Sequence, residues 1–373
     1  MSAGGRAVAH VDAPALLVDA ILAPERLAAL DMAAWERLLA CARRNAVLAY
    51  LAERAMRAGL IDSLPEAPRA ALHSARTSAA RLSQLARWEL ERVRRAFAPA
   101  AMPLIALKGV AYVVRGLPHA TTRILSDIDV MVPRDRIGEA EQALVDAGWQ
   151  GTKLDAYDQK YYREWSHEIP PLHYPGRLLS VDVHHTICPP VSRLRPDAAQ
   201  FWADAEPCEI PGVRLLSPVD SVLHAAVHLF FDSDFDGRFR ELVDLHELLT
   251  AFGGVSGFWD ALIARAKMQG LGRPLYYTFV ALTRVLRTPV PAAALAASRA
   301  FAPPPLTDRW MTNTLETVLT PVDPQIWPPA NRARLWLLFV RSHWLRMPAH
   351  LLVPHLVRKS MRRVRVDPLA APR

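Results

Sequence analysis

Apolar residues recur at three- and four-residue spacing through residues 27–39, 47–56 and 82–97, which predicts helices that each bury one face. Gly59, Pro65 and Pro68 fall between these runs and read as breaks. Residues 1–100 are therefore expected to form an N-terminal helical region. At Pro103 the pattern changes. A short apolar run at 104–107 predicts a strand, and residues 109–115 a helix directly after it. A second strand is predicted over 127–132. Pro133 then opens a helix over 134–147, and Gly148 supplies its C-terminal stop. A strand near 149–154 follows, then two hairpin strands on either side of Pro175-Gly176, the second over 178–187. Residues 101–215 thus read as an α/β core built on a small mixed sheet. Ser217-Pro218-Val219-Asp220 is a helix start, with Ser217 as the cap and Asp220 reaching back to it. Helix is expected from there to about residue 288, interrupted at 253–257, with loops and short helices in the Pro-rich stretch up to 330. Residues 216–330 form a C-terminal helical region on this reading, and 331–373 a basic tail containing Trp and Leu. The fold class is α+β, a small mixed sheet flanked by helices at both ends.

Within this pattern three carboxylates interrupt apolar strands: Asp127 and Asp129 in Asp127-Ile128-Asp129-Val130-Met131-Val132, and Asp182 in Val181-Asp182-Val183-His184. Residues i and i+2 of a strand face the same way, so Asp127 and Asp129 project together while Ile128 points into the packing. A carboxylate among apolar neighbours is costly unless it is paired or holds a metal. Hard oxygen donors with no cysteine nearby favour Mg2+ or Mn2+ over zinc.

Composition sharpens this reading. Lysine is scarce, only five against forty arginines, so Lys108 stands out where Arg is the background choice for a positive charge. The net charge of +8 is concentrated at the end of the chain: residues 331–373 hold ten Arg or Lys against Asp367 alone, leaving the first 330 residues close to neutral. A basic surface for sequence-specific nucleic acid is not expected from that distribution. Cys41, Cys188 and Cys208 are widely spaced with no CxxC pair, which points to a reduced, cytoplasmic setting and away from a zinc site. Asp12 and Asp19 interrupt the only candidate leader segment, and no run of eighteen apolar residues occurs.

Leu107-Lys108-Gly109, Arg123 followed by Asp127-Ile128-Asp129, Val181-Asp182-Val183-His184, and the downstream His224 to His228 and 240–249 segments together resemble the nucleotidyltransferase superfamily with the polymerase-beta-like fold. The chain is similar, more closely, to a bacterial group of uncharacterised nucleotidyltransferases. The resemblance spans residues 80–250 and is weaker toward both ends. The superfamily's first motif is Gly-Gly or Gly-Ser at a helix start; here it is Lys108-Gly109, a form the closer group shares. Membership implies metal-dependent transfer of a nucleoside monophosphate from a nucleoside triphosphate to a hydroxyl or phosphate of an acceptor. It implies catalytic and metal-binding roles for Asp127, Asp129 and Asp182, with two Mg2+ or Mn2+ ions about 3.5–4 Å apart. Lys108, Gly109 and Arg123 are then expected to bind phosphate: Gly109 lets the backbone approach an anion, Lys108 adds a point charge, and Arg123 is read either as reaching a phosphate or as pairing with an acid. The acceptor, whether peptide, protein, sugar or small molecule, is left open. The alternative is a catalytically inactive module that binds a nucleotide or a partner.

Other residues carry weaker signals. His184 shares the face of Asp182 and is read as an accessory residue or as a core histidine, and Asp244 as an accessory residue or an i,i+4 partner of Arg240. His224 and His228 have metal-pair spacing without the glutamate of the zinc-protease pattern. Asp232-Ser-Asp234-Phe-Asp236-Gly237 begins like a calcium loop, but Val243 stands where a bidentate glutamate belongs. The tail mixes Trp336, Phe339 and Trp344 with arginines. It reads either as a peripheral membrane contact or as a helix packed on the body with its basic face in water.

Overall fold

The computed structural model describes residues 12–152, 154–231, 235–326 and 331–365. Its seven-stranded mixed sheet comprises β1 (Leu104–Ala106), β2 (Asp127–Met131), β3 (Gln150–Gly151), β4 (Leu172–His173), β5 (Ser180–His184), β6 (Glu206–Pro207) and β7 (Val213–Leu215). The spatial order is β3-β4-β5-β2-β1-β7-β6. β2 pairs in parallel with β5 and antiparallel with β1, while β1 pairs in parallel with β7. The hairpin expected around Pro175-Gly176 is present as β4 and β5, and Gly176 has a φ of 78°, which a side chain would disfavour. With helices on both sides, the fold is α+β.

Several elements differ from expectation. Pro68 lies in the first turn of a single 32-residue helix, Glu66–Phe97. Its missing amide costs nothing at that position, so it begins the helix where a break was expected. The strand expected near 149–154 is only Gln150–Gly151, and Lys153 lies outside the described residues. β6 and β7, closed around Gly212 at φ 83°, are too short to leave a periodic pattern. In the Pro-rich stretch, Pro305 starts a 15-residue helix, Pro305–Leu319. The tail forms two helices, Arg332–Arg346 and Ala349–Arg365, and Pro354 sits inside the second.

Two buried clusters hold these layers. Ile128, Val130, Val181 and Val183 pack one face of the sheet against Leu90, Val93 and Phe97 of the long helix. The second cluster joins Leu38 and Leu51 of the N-terminal helices to Leu223, Leu245 and Leu282 of the C-terminal ones, and reaches the sheet through Ile105 and Met131. Strand alternation puts Met131 on the same face as Asp127 and Asp129. The carboxylates therefore face the helical body.

Candidate active site

The register of β2 and β5 decides the site. Asp129 lies directly opposite Asp182, with Asp127 opposite Ser180 and Met131 opposite His184. Adjacent strands run about 4.8 Å apart, so the Asp129 and Asp182 carboxyl groups share one small space. They line a cavity of about 490 Å³ between the sheet and the helical body, together with Lys108, Arg123 and Asp127.

Asp129 is the centre of this arrangement. Its Oδ1 accepts from Lys108 Nζ at 2.7 Å and lies 2.9 Å from His184 Nε2. Burial alone would raise its carboxyl, but the Lys108 ammonium and the His184 contact outweigh burial and hold it well below the usual carboxylate range. Burial likewise opposes the Lys108 charge, and Asp129 outweighs it in turn. The other two acids are compensated only in part. Asp127 is raised by burial and by its neighbour Asp129. Asp182 is pushed up to about 7 by burial first and then by Asp129 and Glu168, and its buried Oδ1 has no hydrogen-bond partner. One ammonium among three aspartates leaves an excess of negative charge. Hard oxygen donors, an orphaned carboxylate oxygen and this excess fit a divalent cation held by Asp127, Asp129 and Asp182.

Lys108 reaches Asp129 from an unusual backbone position, a left-handed φ of 45° at the first residue of the Lys108–Val114 helix. Such a conformation costs on the order of 1–3 kcal/mol outside glycine. The buried ion pair offsets that strain. The helix has only seven residues, so the Lys108 ammonium and the Arg123 guanidinium beside Gly109, rather than the helix dipole, supply the positive charge at this end. Gly109 packs closely: a Cβ there would come within 2.3 Å of Leu125 Cδ2, in the segment that leads into β2, so that side chain would have to move.

Arg123 lines the cavity, and its guanidinium is gripped from behind by Asp244. Asp244 is buried and also accepts from Arg240 Nε at 3.1 Å, the i,i+4 contact. Its place is beneath Arg123 rather than on the cavity wall. Burial and the nearby Arg123 charge lower Arg240 to about 9. His224 and His228 both line the cavity, with His228 Nδ1 3.0 Å from Glu241 Oε2 and His224 kept neutral by burial. Asp236 pairs with Arg44 at 3.0 Å, whereas Asp232 and Asp234 lie outside the described residues.

Two cavity residues went unread in the sequence. Glu168 Oε2 is 3.5 Å from His184 Nε2, and the His167 ring lies 5.2 Å from the His184 ring. Burial lowers His167 well below the ordinary histidine range. The hairpin register alone would not have found them: continued past β4 it brings residue 169 opposite residue 184, and a one-residue shift puts residue 168 there instead.

The mixed sheet carries acids on adjoining parallel strands, with a lysine and a glycine at the neighbouring helix start, the residues on which the resemblance to nucleotidyltransferases rested. The chain belongs to the family described as Uncharacterised nucleotidyltransferase, which matches residues 31–287. That span takes in helices on both sides of the sheet as well as the sheet itself. Comparison with curated proteins and with solved structures finds no match.

Lys108→Met tests the central pair in the metal-free protein. Removing one partner of a buried pair leaves an uncompensated charge, so denaturant unfolding at neutral pH should show a loss of about 3 kcal/mol. Asp129 is depressed in the folded protein, so its contribution is present above the ordinary carboxylate pKa of about 4 and is lost as pH falls through the lower folded value. The variant lacks that contribution, and its deficit should therefore stay constant from pH 7 down to about pH 4 and shrink as the pH falls further. A deficit that stays constant below that pH as well would contradict the assignment.

Proposed function

We propose that the protein is a metal-dependent nucleotidyltransferase that moves a nucleoside monophosphate from a nucleoside triphosphate onto a hydroxyl or phosphate of an acceptor. The observation that carries this reading is the direct pairing of Asp129 with Asp182 across β2 and β5, with Asp127 on the same face and Lys108 at the rim. Asp127, Asp129 and Asp182 would hold Mg2+ or Mn2+, which when bound neutralises the triphosphate and polarises the reacting phosphorus. Lys108, 2.7 Å from Asp129, is placed so that its ammonium would serve a phosphate oxygen with a divalent cation on the aspartates. Arg123 contacts phosphate with its guanidinium oriented by Asp244. The acceptor oxygen forms a bond to the α-phosphorus, the bond to pyrophosphate breaks, and the acceptor proton passes to Asp182 or to solvent. The acceptor class is a peptide, protein, sugar or small molecule, and the setting is cytoplasmic.

A second feature bears on location. The Arg332–Arg346 helix packs Leu338 and Ser342 into the body and exposes Trp336, Val340 and Trp344 along its outer face. Among the described residues no helix is long and apolar enough to cross a membrane. An exposed aromatic face in a strongly basic tail suits peripheral contact with an anionic membrane surface.

Three outcomes are expected. Incubation with four α-labelled triphosphates and a host extract should label an acceptor, and Asp127→Asn/Asp129→Asn should lower that labelling by roughly three orders of magnitude. Equal labelling by both proteins would exclude the reaction, and triphosphate binding without labelling would favour an inactive binding module. Calorimetric Mn2+ affinity should rise about tenfold per pH unit below pH 7, because binding displaces the Asp182 proton, and level off above it; Asp182→Asn should flatten the profile. In flotation assays the protein should rise with anionic vesicles and not with neutral ones, and Trp336→Ser/Val340→Ser should reduce this; flotation unchanged by the substitutions would exclude the tail helix as the contact.

A further inference from the structure

The segment just before β4 runs antiparallel to β5 and is fastened to it by backbone bonds. Ile169 N donates to Val183 O at 3.0 Å, His185 N donates to His167 O at 2.9 Å, and Glu168 forms a bridge with His184. This ladder fixes three donor side chains around one point. His184 Nε2 is 3.5 Å from Glu168 Oε2, His167 Nε2 is 3.8 Å from the same oxygen, and one ligand atom from each residue lies within 4.8 Å of the others. Ligands about 2.0–2.2 Å from a tetrahedral ion are separated by roughly 3.3–3.6 Å, so the two histidine-to-glutamate edges are already near that length, and the two imidazoles, within 4.8 Å of each other, close the third edge on binding. The His184 side chain is wholly buried, which holds its ring in place without a rotamer search.

We propose that His167, Glu168 and His184 form a second cation site, distinct in chemistry from the aspartate site and selective for a first-row transition ion such as Zn2+. Two imidazoles and one carboxylate are a borderline donor set that Mg2+ does not favour. The two sites meet at Asp129, whose Oδ1 lies 2.9 Å from His184 Nε2. With an ion on His184, that contact changes from a hydrogen bond to the approach of two neighbouring ligands, and Asp129 becomes available as a fourth donor. The ion would also offset the charge of Glu168, one of the groups that raise Asp182. The site does not depend on nucleotidyl transfer taking place.

The test uses the full-length protein, stripped of metal, titrated with Zn2+ against a chromophoric chelator and separately with Co2+ followed by visible absorption. One Zn2+ should bind to the wild type and to Asp127→Asn/Asp182→Asn. His167→Ala and Glu168→Gln should weaken it by more than the roughly 10–100-fold that loss of an outer-shell partner costs, and should remove the Co2+ bands. Glu168 lies at the cavity rim, so its variant serves if His167→Ala fails to fold as judged by metal-free thermal melting. No stoichiometric Zn2+ in the wild type, unchanged affinity in the folded variants, or loss confined to Asp127→Asn/Asp182→Asn would overturn the proposal. Those outcomes leave the Mg2+ and triphosphate reading to its own test.

Discussion

A carboxylate in the middle of a sheet can remain ionised only if a charge is brought to it, and in this protein that charge is the Lys108 ammonium 2.7 Å from Asp129. Much of the local architecture follows from that requirement. The chain accepts a left-handed backbone at Lys108, a glycine packed against Leu125, and a strand-to-helix turn with no intervening loop. His184 completes the arrangement from β5, and the parallel pairing of β2 with β5 sets its distance. The remaining acids, Asp127 and Asp182, are left under-compensated, and both are raised above the usual carboxylate range. A fold gains nothing in stability from such groups, so their presence on one face is most economically explained by a ligand that carries positive charge.

The helical body is part of the site rather than a support beneath it. Asp244, on the Phe239–Phe252 helix, grips Arg123 from the segment ahead of β2, and Arg240 is held there by Asp244 and by the Thr122 carbonyl at 3.2 Å. His228 and Glu241 close the cavity from the same side. The N-terminal helices share a core with this body, so changes in Leu38 or Leu51 are felt by the elements that position Arg123.

What the sequence made legible, and what it did not, divides along physical lines. Alternation within one strand is a local property, so the shared face of Asp127 and Asp129 could be read directly. Opposition of Asp129 and Asp182 is a matter of register between strands about fifty residues apart, which periodicity does not contain; it entered only through family resemblance. The pairing of Arg123 with Asp244 joins segments 121 residues apart and was likewise invisible, although the local Arg240–Asp244 contact was foreseen as an alternative. His167 and Glu168 lie in a segment without apolar rhythm, and β6 and β7 are too short to show one. Proline misled twice for one reason: at Pro68 and Pro305 it stands in a first turn, where a missing amide is harmless.

On the proposed function, Lys108 occupies the place beside Asp129 that a divalent cation on the three aspartates would take, and its ammonium would then serve a phosphate oxygen. A crystal structure with Mn2+ and a non-hydrolysable triphosphate analogue tests this most directly. The account predicts an anomalous peak within bonding distance of Asp127 and Asp129, with Lys108 Nζ moved from Asp129 to a phosphate oxygen. An undisturbed Lys108–Asp129 pair, with manganese and triphosphate bound elsewhere or not at all, would contradict it.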